Sequence, residues 1–271
     1  MRQFVFSLMV LLLSVMCSSD LQAQRKHVFS GGIGASAYQG DLAEKFPGNQ
    51  LNPSFHLSYS YYINPYISNR IGLSFTQLEG SDAFATDPSR RRRNLSFETN
   101  LAELSDVVVL DIIPDKNFGK FYEEDLFIHP YVFGGVSLFW FDPRTQYYGQ
   151  WVDLRPLGTE GQLFEGEEDT PGPYSNVQVS IPMGLGVTLR VKGNFSVSFE
   201  ASYSKAFTDY LDDVSGNYAD PDRINQTSGF IAEDLANRSK GAYKTGEVRG
   251  NPNKKDGYAF LRAYVSFYFG H

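Results

Sequence analysis

From Val177 to Val191 each odd position is apolar: Val177, Val179, Ile181, Met183, Leu185, Val187, Leu189 and Val191. The even positions from 176 to 190 read Asn, Gln, Ser, Pro, Gly, Gly, Thr and Arg. A period of two with no exception on the apolar side marks a β-strand with two different faces. The pattern resumes after Lys192-Gly193-Asn194, a tight turn. Phe195, Val197, Phe199, Ala201 and Tyr203 then share one face, and Ser196, Ser198, Glu200, Ser202 and Ser204 the other. Near the end of the chain, Ala259, Leu261, Ala263, Val265, Phe267 and Phe269 are set against Tyr258, Phe260, Arg262, Tyr264, Ser266 and Tyr268. Pro182 cannot donate to a ladder, and we read it as a local defect rather than a strand end.

Weaker alternation at about 28–39, 54–63, 66–79, 94–113 and 127–141 brings the expected strands to eight. In FETNLAELSDVVVLDII the phase shifts near Glu103, which predicts a β-bulge. The gaps cover roughly 40–53, 64–65, 80–93, 114–126, 142–175, 192–194 and 205–257, so long connections alternate with shorter ones. A transmembrane barrel has this pattern, with an even strand number, long outer loops, and turns and termini on the periplasmic side. A lipocalin-like barrel or a sandwich would turn its polar face to water. Here that face is mostly Ser, Gly, Thr and Tyr with a few charges, which suits the cramped lumen of a narrow barrel. The apolar face then meets lipid, and Tyr59, Tyr61, Phe267 and Phe269 fall near strand ends, where interfacial aromatics are expected. The expected fold is all-β: an eight-stranded antiparallel transmembrane β-barrel with long extracellular loops and an interior filled by side chains.

Composition agrees. The chain has 22 Phe and 17 Tyr, yet its mean hydropathy is only -0.31, as alternating strands require. After the first twenty residues no run approaches the roughly 18 apolar residues of a spanning helix. The 24 Lys and Arg against 31 Asp and Glu give a net charge of -7, which argues against nucleic acid as a partner. Residues 1–23 resemble a secretory signal peptide, with Arg2, an apolar stretch from Phe4 to Met16, and Ala23 before the expected cleavage. Cleavage before Cys17 as a lipoprotein is disfavoured by the bulk of Met16. The barrel domain is then 24–271, without cysteine and so without disulfides.

Candidate chemistry is sparse. His27, His129 and His271 fall near the periplasmic ends, and His56, in the strand half nearer the outer rim, is read as a polar lumen residue among Ser54, Ser58 and Ser60. No catalytic, cofactor-binding or metal site is expected from them. Arg90–Arg93 in the second outer loop has the forked geometry to clamp lipopolysaccharide phosphates, but pairing with the acidic fourth loop is the preferred reading. That loop carries Asp209, Asp212, Asp213, Asp220 and Asp222 at a spacing unlike a calcium loop. Glu98, Arg190, Glu200 and Arg262 are expected to form a lumen charge network, since unpaired charge inside a barrel is costly. GGIGASAYQG opens no helix, so its glycines are read as packing positions rather than a phosphate loop.

Five irregular stretches carry a resemblance. YYGQWVDLRPLGTEGQ (147–162), RNLSFETNLAEL (93–104), HPYVFGGVSLFWFDP (129–143), FTDYLDDVSGNYAD (207–220) and RGNP (249–252) resemble the PorG-like outer-membrane barrels. The family residues carried over are Trp151, Leu154, Arg155 and Pro156, with Asp209, Tyr210, Asp212 and Asp213. The resemblance implies a component of the type IX secretion system, without enzymatic activity or cofactor. Its partners would be outer-membrane lipid, lipopolysaccharide, and a periplasmic ring made of a lipoprotein and a second protein. The long fourth gap, with Asp115, Lys116, Asn117, Phe118, Lys120, Phe121 and Tyr122, is the expected docking surface for that ring. The competing reading is a barrel that acts through its outer loops in adhesion, envelope integrity or lipopolysaccharide contact.

Overall fold

The computed structural model describes residues 27–43, 50–114, 122–165 and 171–269. The expected leader, Cys17 and His271 lie outside the described residues. The strands are β1 (His27–Gln39), β2 (Asn52–Tyr62), β3 (Ile67–Ser81), β4 (Ser96–Asp111), β5 (Tyr122–Tyr147), β6 (Gln150–Asp153), β7 (Val177–Gly193), β8 (Phe195–Ala206) and β9 (Gly257–Phe269). Short helices in the outer loops are α1 (Pro88–Arg93), α2 (Pro221–Ser228) and α3 (Phe230–Ala236).

All strands but β6 close into an eight-membered antiparallel ring, with β1 bonded to both β2 and β9 and β4 to β5. Following paired residues once around, His27, Tyr61, Asn69, Val108, Gly134, Met183, Tyr203 and Ala259, leads back to β1 at Ala37, ten residues beyond the start. That stagger tilts the strands and sets a lumen just wide enough for side chains.

The apolar face of each strand points outward. Ile33, Phe55, Leu73, Leu138, Leu185 and Leu261 are among the exposed residues that surround the ring with hydrocarbon. No helix among the described residues is long and apolar enough to span a membrane, and a closed ring with an apolar belt spans by its strands. The chain is a membrane-spanning β-barrel of the outer-membrane type. Near the inner rim, His27, Phe29, Tyr59, Phe267 and Phe269 form a chain of ring contacts, with Phe29 stacked on Phe269 at 4.9 Å.

Two expectations are corrected. No bulge occurs at Glu103, because β4 keeps step with both neighbours along its length. Every odd residue from Phe97 to Asp111 points into the lumen. The apparent phase shift records a change inside the barrel, from apolar at Phe97 and Leu101 to polar at Glu103 and Ser105. β5 begins earlier and ends later than alternation indicated, and it folds back into β6 through Tyr148-Gly149, both at positive φ, as a two-residue hairpin turn requires. The long outer connections also contain α1, α2 and α3, which strand periodicity cannot announce. Pro182 does sit within a continuous β7: the pairs at Gly134–Met183 and Ser137–Ser180 share one register across it.

Inside, the barrel has two halves. The outer half is packed with Tyr38, Leu78, Phe97, Leu101, Phe139 and Phe141, continuous with loop residues Leu42, Leu154, Leu211, Val214 and Leu235. The inner half is lined by hydroxyls, including Ser30, Ser58, Ser60, Ser198 and Ser266, around a cavity of about 50 Å³. Glycines make room for rings. A Cβ on Gly32 would stand 2.3 Å from the Tyr264 ring, so the packing reading of GGIGASAYQG holds at that position.

Candidate functional site

The outer loops form a cap built around buried charge. In α1, Asp87 caps the first turn by accepting from the Ser89 amide at 2.8 Å, and Asn94 ends the helix in the left-handed region, where Asn is tolerated. This short helix delivers Arg93 to Asp82, whose two oxygens accept from Nε at 2.8 Å and Nη2 at 2.7 Å. Asp82 is fully buried and also accepts from the Leu95 amide. Arg93 further donates to the backbone oxygens of Asp41 and Arg249, so one side chain joins the first, second and fourth outer loops. Arg90 also contacts Asp82, at 3.7 Å. The arginine run thus pairs mainly with Asp82 in its own loop, not with the acids of the fourth, while Arg91 and Arg92 remain exposed.

A second node joins the third and fourth loops. Leu154 enters the core, and the turn Arg155–Leu157 ends at Gly158 with φ 59, which directs Thr159 and Glu160 inward. Glu160 accepts from Arg249 Nη1 at 2.8 Å and from the amides of Ser215 and Gly216 at 2.9 and 3.0 Å. Arg249 also donates to the carbonyl of Asp213 at 2.7 Å. The Asp213 carboxylate accepts from Thr159 at 2.6 Å and from Tyr174 at 2.7 Å. The Tyr174 ring stacks between Phe141 and Tyr210, and its carbonyl accepts from Arg155 Nε at 2.8 Å.

The structure therefore brings together Leu154, Arg155, Tyr210 and Asp213, all carried over by resemblance, around Tyr174, which sequence reading missed. Nothing in the local pattern near Tyr174 marks it, because it follows Pro171-Gly172-Pro173 in a segment without periodicity. Asp212 lies on the other side of the cap, where Asp212 and Asp256 both accept from the Tyr38 hydroxyl, at 2.6 and 3.0 Å. Trp151 and Pro156 are exposed, Trp151 beneath the Arg144 guanidinium at 4.9 Å.

Burial raises the acids of this cap. It pushes Asp213 up to about 6 although Arg249 pulls the other way, and Asp209 up to about 7 although the Ser215 hydroxyl opposes it. Asp212 and Asp256 are raised well above the usual carboxylate range, by burial and by neighbouring acids. Asp220 instead caps α2, accepting from the amides of Asp222 and Arg223. Among the described residues no group of His, Cys, Asp and Glu is arranged to hold a metal ion.

The lumen network differs from expectation. Glu200 pairs with Arg70 at 2.7 Å and accepts from Tyr131 and Tyr264 at 3.0 and 2.9 Å. Arg262 lies over the Phe260 ring and 3.5 Å from His56, and Arg190 lies 4.3 Å over the Tyr268 ring. Glu98 is not in the lumen: it points outward and pairs with Arg144 and Gln77, because the unbroken register of β4 puts even positions outside. His56 is the polar lumen residue expected among Ser54, Ser58 and Ser60. It is buried mid-barrel, 3.0 Å from Ser74, with Gly72 beside it. Deeper still toward the outer half, Glu103 takes hydrogen bonds from the hydroxyls of Tyr258, Ser137 and Ser74. Of the expected docking surface, Asp115, Lys116, Asn117, Phe118, Lys120 and Phe121 lie outside the described residues. Tyr122 is the first residue of β5, paired with Gly193.

A family described as a domain of unknown function, DUF6089, matches residues 3–153. The chain belongs to the DUF6089 family. The match ends with β6 and stops short of the Glu160–Arg249 node. No curated protein matches the chain. Among solved structures, the chain is similar to Neisserial surface protein A, at 12% identity and a TM-score of 0.44, covering 92% of this chain and 100% of that one. It is also similar to the Yersinia pestis attachment invasion locus protein in complex with the heparin analogue sucrose octasulfate, at 14% identity, TM-score 0.38, covering 89% and 98%. The N-terminal β-barrel domain of Pseudomonas aeruginosa OprF is a third, at 11% identity, TM-score 0.36, covering 91% and 100%.

Proposed function

We propose that this outer-membrane barrel is a non-enzymatic anchor for the periplasmic ring of a type IX protein secretion system, working through its inner end. The observation that carries this reading is the difference between the two ends. The outer mouth is closed by the chain's own loops, tied by Arg93–Asp82 and Arg249–Glu160 over a lumen filled with rings. A barrel sealed in this way is neither an open pore nor a cleft for an outside substrate. Short turns and the ends of β1 and β9 lie at the inner side, where a ring would dock. The PorG-like segments 154–162, 207–220 and 249–252 serve the cap scaffold, which leaves the working surface to be sought elsewhere.

A clean deletion tests the role: cargo bearing the type IX carboxy-terminal signal is retained in the envelope while other outer-membrane proteins stay at normal levels. Replacing 115–124 by a short Gly-containing turn then abolishes ring co-purification with the barrel still folded, and unchanged co-purification rejects the docking surface. A second reading has its own observation. Tyr148, Phe230 and Val248 stand 91%, 63% and 71% exposed on an otherwise ordered cap, which favours contact with an outside surface. In that case cargo export is untouched by deletion, and Tyr148→Ser with Val248→Ser removes binding to host or lipopolysaccharide surfaces.

A further inference from the structure

One ionisable residue lies where a membrane barrel should carry none. The even positions of β4 face lipid, and in that row Leu104, Val108 and Leu110 are 48%, 53% and 45% exposed. Between Leu104 and Val108 sits Asp106. Its cross-strand partners, Ile71 on β3 and Val136 on β5, are exposed apolar residues as well. The carboxylate is thus surrounded by the hydrocarbon belt on all four sides of the strand lattice. Among the described residues its hydrogen-bond partner is Asn69, on the lipid face of β3, whose Nδ2 donates at 2.5 Å. An amide does not neutralise a carboxylate, and ionisable groups at such positions are costly and mark functional contacts.

The surrounding wall is shaped. On the outer side of Asp106, Leu73, Phe75, Leu104, Leu138, Trp140 and Val177 enclose an apolar hollow of about 230 Å³ floored by Ala102. Beside Asp106 on β5, Gly134 removes a side chain from the belt, and a Cβ there would meet nothing nearer than 3.8 Å. Ala102 and Asp106 are four residues apart on one strand, which sets the hollow and the carboxylate roughly 13 Å apart.

We propose that the lipid-facing wall of β3, β4 and β5 is an intramembrane docking surface for another protein's membrane-embedded segment, one that carries a Lys or Arg opposite Asp106 and a bulky apolar side chain for the hollow. Charge complementarity selects that occupant. A second copy of this chain does not supply it: among the described residues, the cations on its outward face, Arg144 and Lys205, stand at the outer ends of their strands. A lipid headgroup would have to leave the interface to reach the carboxylate. The inference is independent of the secretion role.

The test uses the full mature barrel, donor-labelled, in phosphatidylcholine vesicles with an acceptor-labelled Leu-based transmembrane peptide of about 20 residues carrying one central Lys, or Leu in its place. Energy transfer should report association of the Lys peptide about 3- to 30-fold tighter than that of the Leu peptide. Asp106→Ala and Asp106→Asn should remove the difference, with heat-modifiable gel migration confirming that the barrels are folded. Equal association of the two peptides, or a Lys preference that survives Asp106→Ala, overturns the proposal. So does energy transfer between two differently labelled barrels that Asp106→Ala abolishes, since the occupant would then be a second copy.

Discussion

The outer cap and the inner lumen both bury an arginine against a glutamate, but they hold the pair by different means. Arg70 and Glu200 stand on strands of the ring, joined by Tyr131 and Tyr264, in a chamber lined with hydroxyls. Arg249 and Glu160 stand on loops, and their geometry exists only while the third and fourth loops stay docked. The wall fixes the first pair through its backbone ladder. The second pair and the cap depend on each other, so local opening should separate the two ends energetically.

Removing one partner of each pair breaks the comparison most sharply. Arg249→Met leaves Glu160 buried and uncompensated, at a cost of about 3–5 kcal/mol. That loss should fall on the cap alone: limited proteolysis cuts within 205–256 while heat-modifiable migration of the barrel is kept. Arg70→Met carries a similar cost but lowers the unfolding midpoint of the whole barrel in urea. If Arg249→Met lowers that midpoint as much as Arg70→Met, the two ends are one cooperative unit and the distinction fails.

Acidity sharpens it further. Asp213, at about 6, and Asp209, at about 7, retain protons in the closed cap that the opened loops, titrating near 4, release. The closed cap binds more protons, so its stability is greatest below about pH 4 and declines as pH rises toward 7. Amide exchange in 205–256, corrected for intrinsic rate, should slow several-fold between pH 8 and pH 5. Asp209→Asn should flatten that dependence, and a cap that loosens on acidification would contradict the assignment.

Smaller effects lie outside both ends. Asp106→Leu should raise barrel stability by about 1 kcal/mol in a urea titration, because a carboxylate leaves the lipid face. Tyr148→Asn, at a turn position with φ 47, should stabilise the β5–β6 hairpin by about 0.5 kcal/mol, seen as slower exchange at Thr145 to Val152.

The strands were legible because lipid outside and hydroxyls inside differ in hydropathy at each step, as in 177–191 and 258–269. Legibility failed where both faces are apolar. Phe97, Leu101, Phe139 and Phe141 point inward under the cap, which is why the hydropathy pattern of β4 slips at Glu103 and puts Glu98 on the wrong side. Of the cap residues, Arg93 and Asp213 stood out by charge without their partners, while Leu154, Arg155 and Tyr210 were legible only through resemblance. Tyr174 carried no signal, and the partnership of Glu160 with Arg249 spans 89 positions.

Alternation by itself determined that this chain makes long strands, that they number eight in the ring, and that the ring turns apolar residues to lipid. Period two sets the two faces of a strand whatever its neighbours are. Only the tertiary structure decided how each charge is compensated: that Arg70 rather than Arg190 or Arg262 answers Glu200, that Asp82 answers Arg93, and that Asp106 is left facing hydrocarbon. Compensation depends on the ten-residue stagger and on loop docking, which bring together side chains that no spacing along the chain relates.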